Sequence, residues 1–71
     1  MKIKLNTKIE VVTNLGDTLI GTYKGIDFKG ILLKNATVTY KDIDGTSELN
    51  MAGAHVDFNK IEDIFELRQQ N

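Results

Sequence analysis

The sequence predicts an all-β fold, a small barrel of five short and strongly bent strands. Apolar and polar residues alternate with the period of a strand along most of the chain, and turn residues separate the alternating segments. Glycines recur inside these segments, where they allow a strand to coil tightly. A chain of 71 residues without repeats, proline or linker-like stretches is short for two domains, so we expect one domain over 1–71.

The first two strands are predicted at 8–13 and 18–26. Both segments alternate and are rich in β-branched residues, which suit a pleated, half-buried surface. Gly16 lies in the turn between them, where it is free to take a positive φ. Gly21 and Gly25 fall on one face of the second strand, so we expect tight coiling and the close approach of another backbone there.

The third and fourth strands both change phase partway along. In the third, predicted at 31–41, the inward positions change from odd to even near Asn35, which indicates a bulge; in the fourth, Gly53 interrupts the alternation. The turn at 42–45 joins the two strands, and its Asp-Gly pair predicts a type I′ hairpin.

A single 3₁₀ turn is predicted at 59–62 and a last strand at 63–67. Ile64 lies on one face of this strand, and Phe65 and Leu67 lie on the other. An outer strand that is apolar on both faces is an aggregation hazard unless another strand pairs with it. A domain of this size also benefits from subunit contacts, because its own core is small. We therefore expect a homo-oligomer.

The composition excludes several classes of site. The chain has no cysteine and one histidine, so it has no disulfide, no thiolate metal site and no cysteine nucleophile. Asp42 and Asp44 resemble the start of a calcium loop, but the other ligands are missing at the needed spacing. Ser47 is the only serine and His55 has no partner evident in sequence, so we expect neither an enzyme nor a cofactor. No apolar run is long enough to span a membrane, and a cytoplasmic protein is expected.

The charge is unevenly distributed. The net charge of −1 argues against an indiscriminate polyanion binder. Residues 1–41 nevertheless carry seven lysines against three acids, which gives +4, whereas 42–71 carry two basic residues against seven acids, which gives −5. One face of the protein is therefore expected to be locally basic.

Two segments resemble motifs of a known family. GDTLIGTYKGID at 16–27, with the following ILLKNA at 31–36, resembles the first Sm motif of the Sm-like proteins, which include the LSm and Hfq-related proteins. LNMAGAHV at 49–56 resembles the shorter second motif, of which the glycine and the apolar positions are kept. The resemblance runs from Lys8 to Leu67 and implies a five-stranded SH3-like barrel.

The resemblance also implies an assembly and a ligand. In the family, the fourth strand pairs with the fifth strand of a neighbouring subunit, which closes rings of about five to eight subunits and leaves no free edge. RNA binds at the inner rim of the ring. The resemblance places the subunit contacts at Val56, Phe58, Ile64, Phe65 and Leu67, and the RNA contacts at Asp27, Phe28, Lys29, Gly30, Gly53 and His55.

The family's uracil pocket is incomplete in this sequence. Gly30 stands where the pocket has an asparagine, and Ala52 stands where it has an arginine. Phe28 either stacks on a base or covers the end of the barrel, and Lys29 either meets a phosphate or is a solvated loop charge. His55 is either a base contact or a satisfied polar residue in a turn. Two functions follow: an RNA chaperone or scaffold, or an oligomeric structural or protein-binding module that has lost the pocket. A monomeric SH3-like domain is a third interpretation.

Overall fold

The fold is one antiparallel sheet of five strands, as the computed structural model of the chain shows for residues 2–67. The elements are β1 (Lys8–Thr13), β2 (Thr18–Ile26), β3 (Gly30–Asp42), β4 (Gly45–Asp57), a 3₁₀ turn (Phe58–Lys60) and β5 (Ile61–Glu66). The predicted all-β class and the number of strands are confirmed. Met1 and 68–71, which the predicted domain also includes, lie outside the described residues. Within 2–67 no helix has the length and apolar character needed to cross a membrane.

The strand order is β4-β3-β2-β1-β5, and the sheet is not closed. β4 pairs only with β3, and β5 pairs only with β1, so each of these outer strands has one edge without a partner strand in the described chain. The 3₁₀ turn connects the two outer strands. Closure into a barrel is therefore not observed in the single chain.

The core is built from the inward positions of the alternating strands. Full burial of a large apolar side chain such as that of Ile, Leu or Val contributes about 1.5 to 3 kcal/mol to the stability of the fold. The buried apolar residues are Ile9, Val11, Leu19, Tyr23, Ile31, Leu33, Ala36 and Val56. Since the core is small, the loss of any of the larger members removes a substantial part of the stability.

The predicted change of phase in β3 is confirmed. Asn35 has a φ of 53°, and the inward positions change there from Leu33 to Ala36. The register with β4 continues across this point without a shift, whereas the register with β2 shifts between Ile20 and Thr22. The irregularity therefore lies between β2 and β3, not between β3 and β4.

Gly21 makes the predicted close approach. An added Cβ would lie 3.1 Å from the carbonyl oxygen of Lys34 and 3.2 Å from the Cα of Ala36, both on β3. Because Gly21 has no side chain, β3 packs tightly against β2 on both sides of the irregularity at Asn35.

The β3–β4 hairpin is present, but its predicted turn type is wrong. A type I′ turn requires positive φ at both central residues, and neither Ile43 nor Asp44 has it. Gly45, the next residue, has a φ of 121° instead. The carboxylate of Asp42 holds the turn, because it accepts hydrogen bonds from the backbone N–H of Asp44 at 2.9 Å and from the hydroxyl of Ser47 at 2.5 Å.

The last strand begins earlier than predicted. β5 starts at Ile61, which pairs with Thr13, and the 3₁₀ turn starts one residue before the predicted position. The backbone N–H of Asn14 donates to the carbonyl of Lys60 at 2.9 Å, which fixes the start of β5 against the β1–β2 turn. Tertiary pairing therefore sets this boundary.

Candidate nucleic-acid interface

The β2–β3 loop, residues 27–30, is held in one conformation by its first residue. Oδ1 of Asp27 accepts hydrogen bonds from the backbone N–H groups of Lys29 and Gly30, each at 2.8 Å. The backbone N–H of Asp27 donates to the carbonyl of Gly30 at 3.0 Å. Aspartate side chains form such turns because they hydrogen-bond to the backbone two and three residues further on. The loop therefore presents residues 28 and 29 on a fixed turn.

Phe28 and Lys29 occupy the tip of this loop. Phe28 is 89% exposed, so it does not cover the end of the sheet, and that alternative from the sequence is wrong. Nζ of Lys29 lies 5.7 Å from the centre of the Phe28 ring, within the range of a cation–π contact. An aromatic ring that is exposed in this way can stack on a base, and a neighbouring lysine can neutralise a phosphate.

His55 connects the loop to β4. Its Nε2 lies 3.1 Å from Oδ1 of Asp27, and its Nδ1 lies 3.4 Å from Oδ1 of Asp57. The β3–β4 register explains this placement, because Gly30 pairs with Asp57 and puts this part of β4 beside the loop. Since both ring nitrogens face carboxylates, the imidazole is fixed in orientation. His55 thus has the orienting partners that were not evident from the sequence.

These contacts lower the pKa of Asp27 from 3.8 to about 2. The hydrogen bond from His55 is the largest cause, and the backbone N–H groups of Lys29 and Gly30 follow. All three donors favour the ionised carboxylate. Because the folded-state pKa lies below the ordinary value, this contribution to stability is complete above about pH 4 and is lost as the pH falls through about 2.

We predict that the Asp27 carboxyl titrates near pH 2 in the folded protein, which an NMR titration of its carboxyl carbon measures. His55→Val removes the first donor and is expected to raise the midpoint toward 3.8 while leaving the two backbone donors in place. A midpoint near 3.8 in the unmodified protein would contradict the loop geometry described above.

The 3₁₀ turn packs against the same loop. The backbone N–H of Phe58 donates to the carbonyl of Lys29 at 2.8 Å. A shallow cleft of about 290 Å³ lies between the two connections and is lined by Phe28, Lys29, Asp57, Phe58 and Asn59. The described part of the chain, 2–67, holds no group of three or more His, Cys, Asp or Glu side chains placed to bind a metal ion.

The structure brings together five of the six predicted RNA-binding residues. They are Asp27, Phe28, Lys29, Gly30 and His55. Gly53 lies apart from them, because it pairs with Lys34 further along the β3–β4 ladder, four residues before the end of β4. Gly30 contributes through its backbone, which is packed against Val56. Asp57 and Asn59 belong to the site but were not found from the sequence, since their position depends on the β3–β4 register and the exact start of the 3₁₀ turn.

The predicted interface residues are in different environments. Val56 is 6% exposed and belongs to the core, so only its backbone is available at the β4 edge. Ile64 is partly buried and packs against the core, and Leu67 is also partly buried. Phe58 is 41% exposed beside the β2–β3 loop, and Phe65 is 47% exposed on the edge strand β5. Phe65 is therefore the clearest candidate for a contact between subunits.

Comparison with known proteins does not add a relative. No protein-family model matches the sequence, and no curated protein matches it significantly.

Proposed function

We propose that the chain is a cytoplasmic Sm-like protein that forms a homo-oligomeric ring and binds single-stranded RNA as a chaperone or scaffold. The β2–β3 loop is the proposed RNA contact, and one such loop from each subunit faces the rim of the ring. The proposal combines the motif resemblance with two features of the fold, the open outer strands and the exposed loop tip.

The open strands support the ring. β4 and β5 lie at opposite edges of the sheet, and each offers unpaired backbone groups. Exposed apolar side chains accompany both edges, with Leu49 and Met51 on β4 and Phe65 on β5. Pairing β4 of one subunit with β5 of the next would satisfy both edges in every subunit, and a cyclic arrangement leaves none free.

The loop tip supports RNA binding by stacking and phosphate contact. Phe28 carries this proposal. Its ring is 89% exposed on a turn that is held by three internal hydrogen bonds and by a contact with His55, so the ring has no packing role within the described chain. Base stacking on an aromatic side chain is worth about 1 to 3 kcal/mol per base and tolerates any sequence. Repetition around a ring multiplies such contacts into useful avidity.

The missing uracil pocket changes the expected specificity. Gly30 has no room for a side chain. Ala52 lies near the middle of β4 rather than beside the loop. Two hydrogen-bonding side chains that read base edges are therefore absent. We propose that the protein binds single strands with a weak preference among bases.

We predict that Phe28→Ala weakens binding of single-stranded RNA by about tenfold or more, since it removes the stacking surface. Fluorescence anisotropy with U-rich and A-rich oligonucleotides at two salt concentrations measures the affinity. Leu15→Ala is the matched control, because Leu15 is 88% exposed in the β1–β2 turn and should be replaceable without effect. Absence of binding by the unmodified protein at low salt would refute the proposal.

A second candidate is an oligomeric structural or protein-binding module. Asp27 and Asp57 favour it, because two carboxylates beside the loop oppose a polyanion. This function predicts that affinity purification recovers proteins instead of nucleic acid. Co-purified nucleic acid with high absorbance at 260 nm would exclude it.

A further inference from the structure

Lysines from three strands lie close together on the outer face of the sheet. Lys8 of β1 pairs with Thr22 of β2, and Thr22 pairs in turn with Lys34 of β3. Lys24 lies two residues beyond Thr22 on the same strand. We call Lys8, Lys24 and Lys34 the lysine row. Neighbouring strands are about 4.8 Å apart, so the backbones of Lys8 and Lys34 are separated by about 10 Å.

The burial pattern places the lysine row on the face opposite the core. The three lysines are exposed, whereas their neighbours Ile9, Tyr23 and Leu33 are buried. Side chains of consecutive strand residues point to opposite faces of a sheet, so the lysines share the outer face. The row therefore forms one continuous basic surface.

The lysine row is not neutralised by neighbouring acids. None of its members forms an ion pair with another residue of 2–67. The Nζ of Lys24 instead donates to Oδ1 of Asn6, a neutral acceptor that fixes the end of its side chain. Lys4, which lines a cleft with Asn6 and Lys8, adds a fourth positive charge. Glu10 is the acid on the outer face of β1, and it lies two residue pairs beyond Lys8, opposite Ile20.

We propose that the lysine row is a second nucleic-acid surface, which binds the phosphates of a single RNA strand outside the loop. That the bound polyanion is RNA rests on the proposed function. Lys24 lies on β2 only three residues before Asp27, so it is the member of the row that is nearest in sequence to the loop that carries Phe28 and Lys29. Lysine ammonium groups bind phosphates as point charges, without reading the base. The row explains how a protein of net charge −1 can hold RNA.

The salt dependence of binding tests the proposal. Each phosphate contact with a single strand contributes about −0.7 to the slope of log affinity against log salt concentration. Lys34→Gln is therefore expected to reduce the slope by about 0.7, and the double variant Lys8→Gln/Lys34→Gln by about 1.4, for each subunit that contacts the strand. Lys41→Gln is the matched control, since Lys41 is an exposed lysine on β3 that lies about 23 Å along the strand from Lys34. It should leave the slope unchanged.

Two probes separate the lysine row from the loop: a single-stranded RNA of 20 nucleotides and an abasic strand of equal length. The row variants should weaken binding of both probes, whereas Phe28→Ala should weaken only the RNA that carries bases. If Phe28→Ala has no effect and the row variants still weaken both, the loop proposal fails and the row stands. Unchanged slopes in the row variants would overturn the proposal that the lysine row binds RNA. Equal affinity for polyglutamate of the same charge would also overturn it, because the lysine row would then be a surface for acidic proteins. Thermal melting of each variant verifies the fold.

Discussion

Replacing Gly30 with alanine is expected to lower the melting temperature by about 15 °C or more. The added Cβ would lie 2.1 Å from the carbonyl oxygen of Val56, 2.7 Å from its carbonyl carbon and 2.9 Å from the Cα of Asp57. All three are backbone atoms of β4, so no side-chain rotation can relieve the overlap. β4 has to move away from β3 at the point where Gly30 pairs with Asp57.

The cost is large relative to the stability of so small a domain. Overpacking of this kind costs about 3 kcal/mol or more, and a chain of this length has a total stability of about 4 to 10 kcal/mol. Circular dichroism during thermal unfolding measures the loss. The same displacement would move His55 and Asp57 away from the β2–β3 loop, so the proposed RNA binding should fall in parallel.

Gly53→Ala is the matched control on the partner strand. An added Cβ at Gly53 has as its nearest neighbour the carbonyl oxygen of Leu33 at 3.6 Å, an ordinary contact, and its φ is not in the left-handed region. We expect a change within about 0.5 kcal/mol. If Gly30→Ala unfolds at the same temperature as Gly53→Ala, the close contact between β3 and β4 is not as described.

The strands were predictable where the local pattern is strong. β1 and β2 have the predicted bounds, because these bounds are determined by local features, the alternating β-branched residues of each strand and the turn between them. The kink at Asn35 was also predictable, since a change of phase in the apolar positions records which side chains face the core. The turn at Ile43 and Asp44 was not, because its type depends on φ angles that side chains with a Cβ avoid, and Gly45 took the positive φ instead.

The site was predictable only in part. The β2–β3 loop was identified because its residues are adjacent in sequence and match a motif. Asp57 and Asn59 were missed, since they reach the loop only through the register of two strands of 13 residues each. Gly53 was wrongly expected at the loop. Each position along a strand moves a residue by about 3.3 Å, so a position four residues before the end of β4 lies well away from the loop. Val56 was expected at a subunit contact, but its side chain lies in the core, because an apolar residue of a strand suits either environment.

Phe65→Asp is expected to convert the proposed ring into single subunits with a mass near 8.0 kDa. Phe65 pairs with Glu10 across β1–β5 and remains 47% exposed on the outer strand of the sheet. In the proposed ring, β4 of the neighbouring subunit covers this strand and buries the ring of Phe65. An unpaired charge buried there would cost several kcal/mol at every interface, because each subunit contributes the same edge.

Ile64→Asp does not test the assembly equally well. Ile64 packs against the core, so its replacement by a charged residue is expected to unfold the chain rather than only separate the subunits. Circular dichroism distinguishes the two variants, since Phe65→Asp should retain the strand signal of the unmodified protein. The sequence alone indicated both residues as equivalent interface positions, and burial now separates them.

Light scattering after size-exclusion chromatography gives the decisive mass. Leu15→Asp is the control, because it places the same charge at an exposed leucine in the β1–β2 turn and should leave the ring intact. A Phe65→Asp variant that keeps the full ring mass would move the interface away from β5. A folded, unmodified chain that stays near 8.0 kDa at high concentration would remove the ring altogether, and with it the avidity on which weak loop contacts depend.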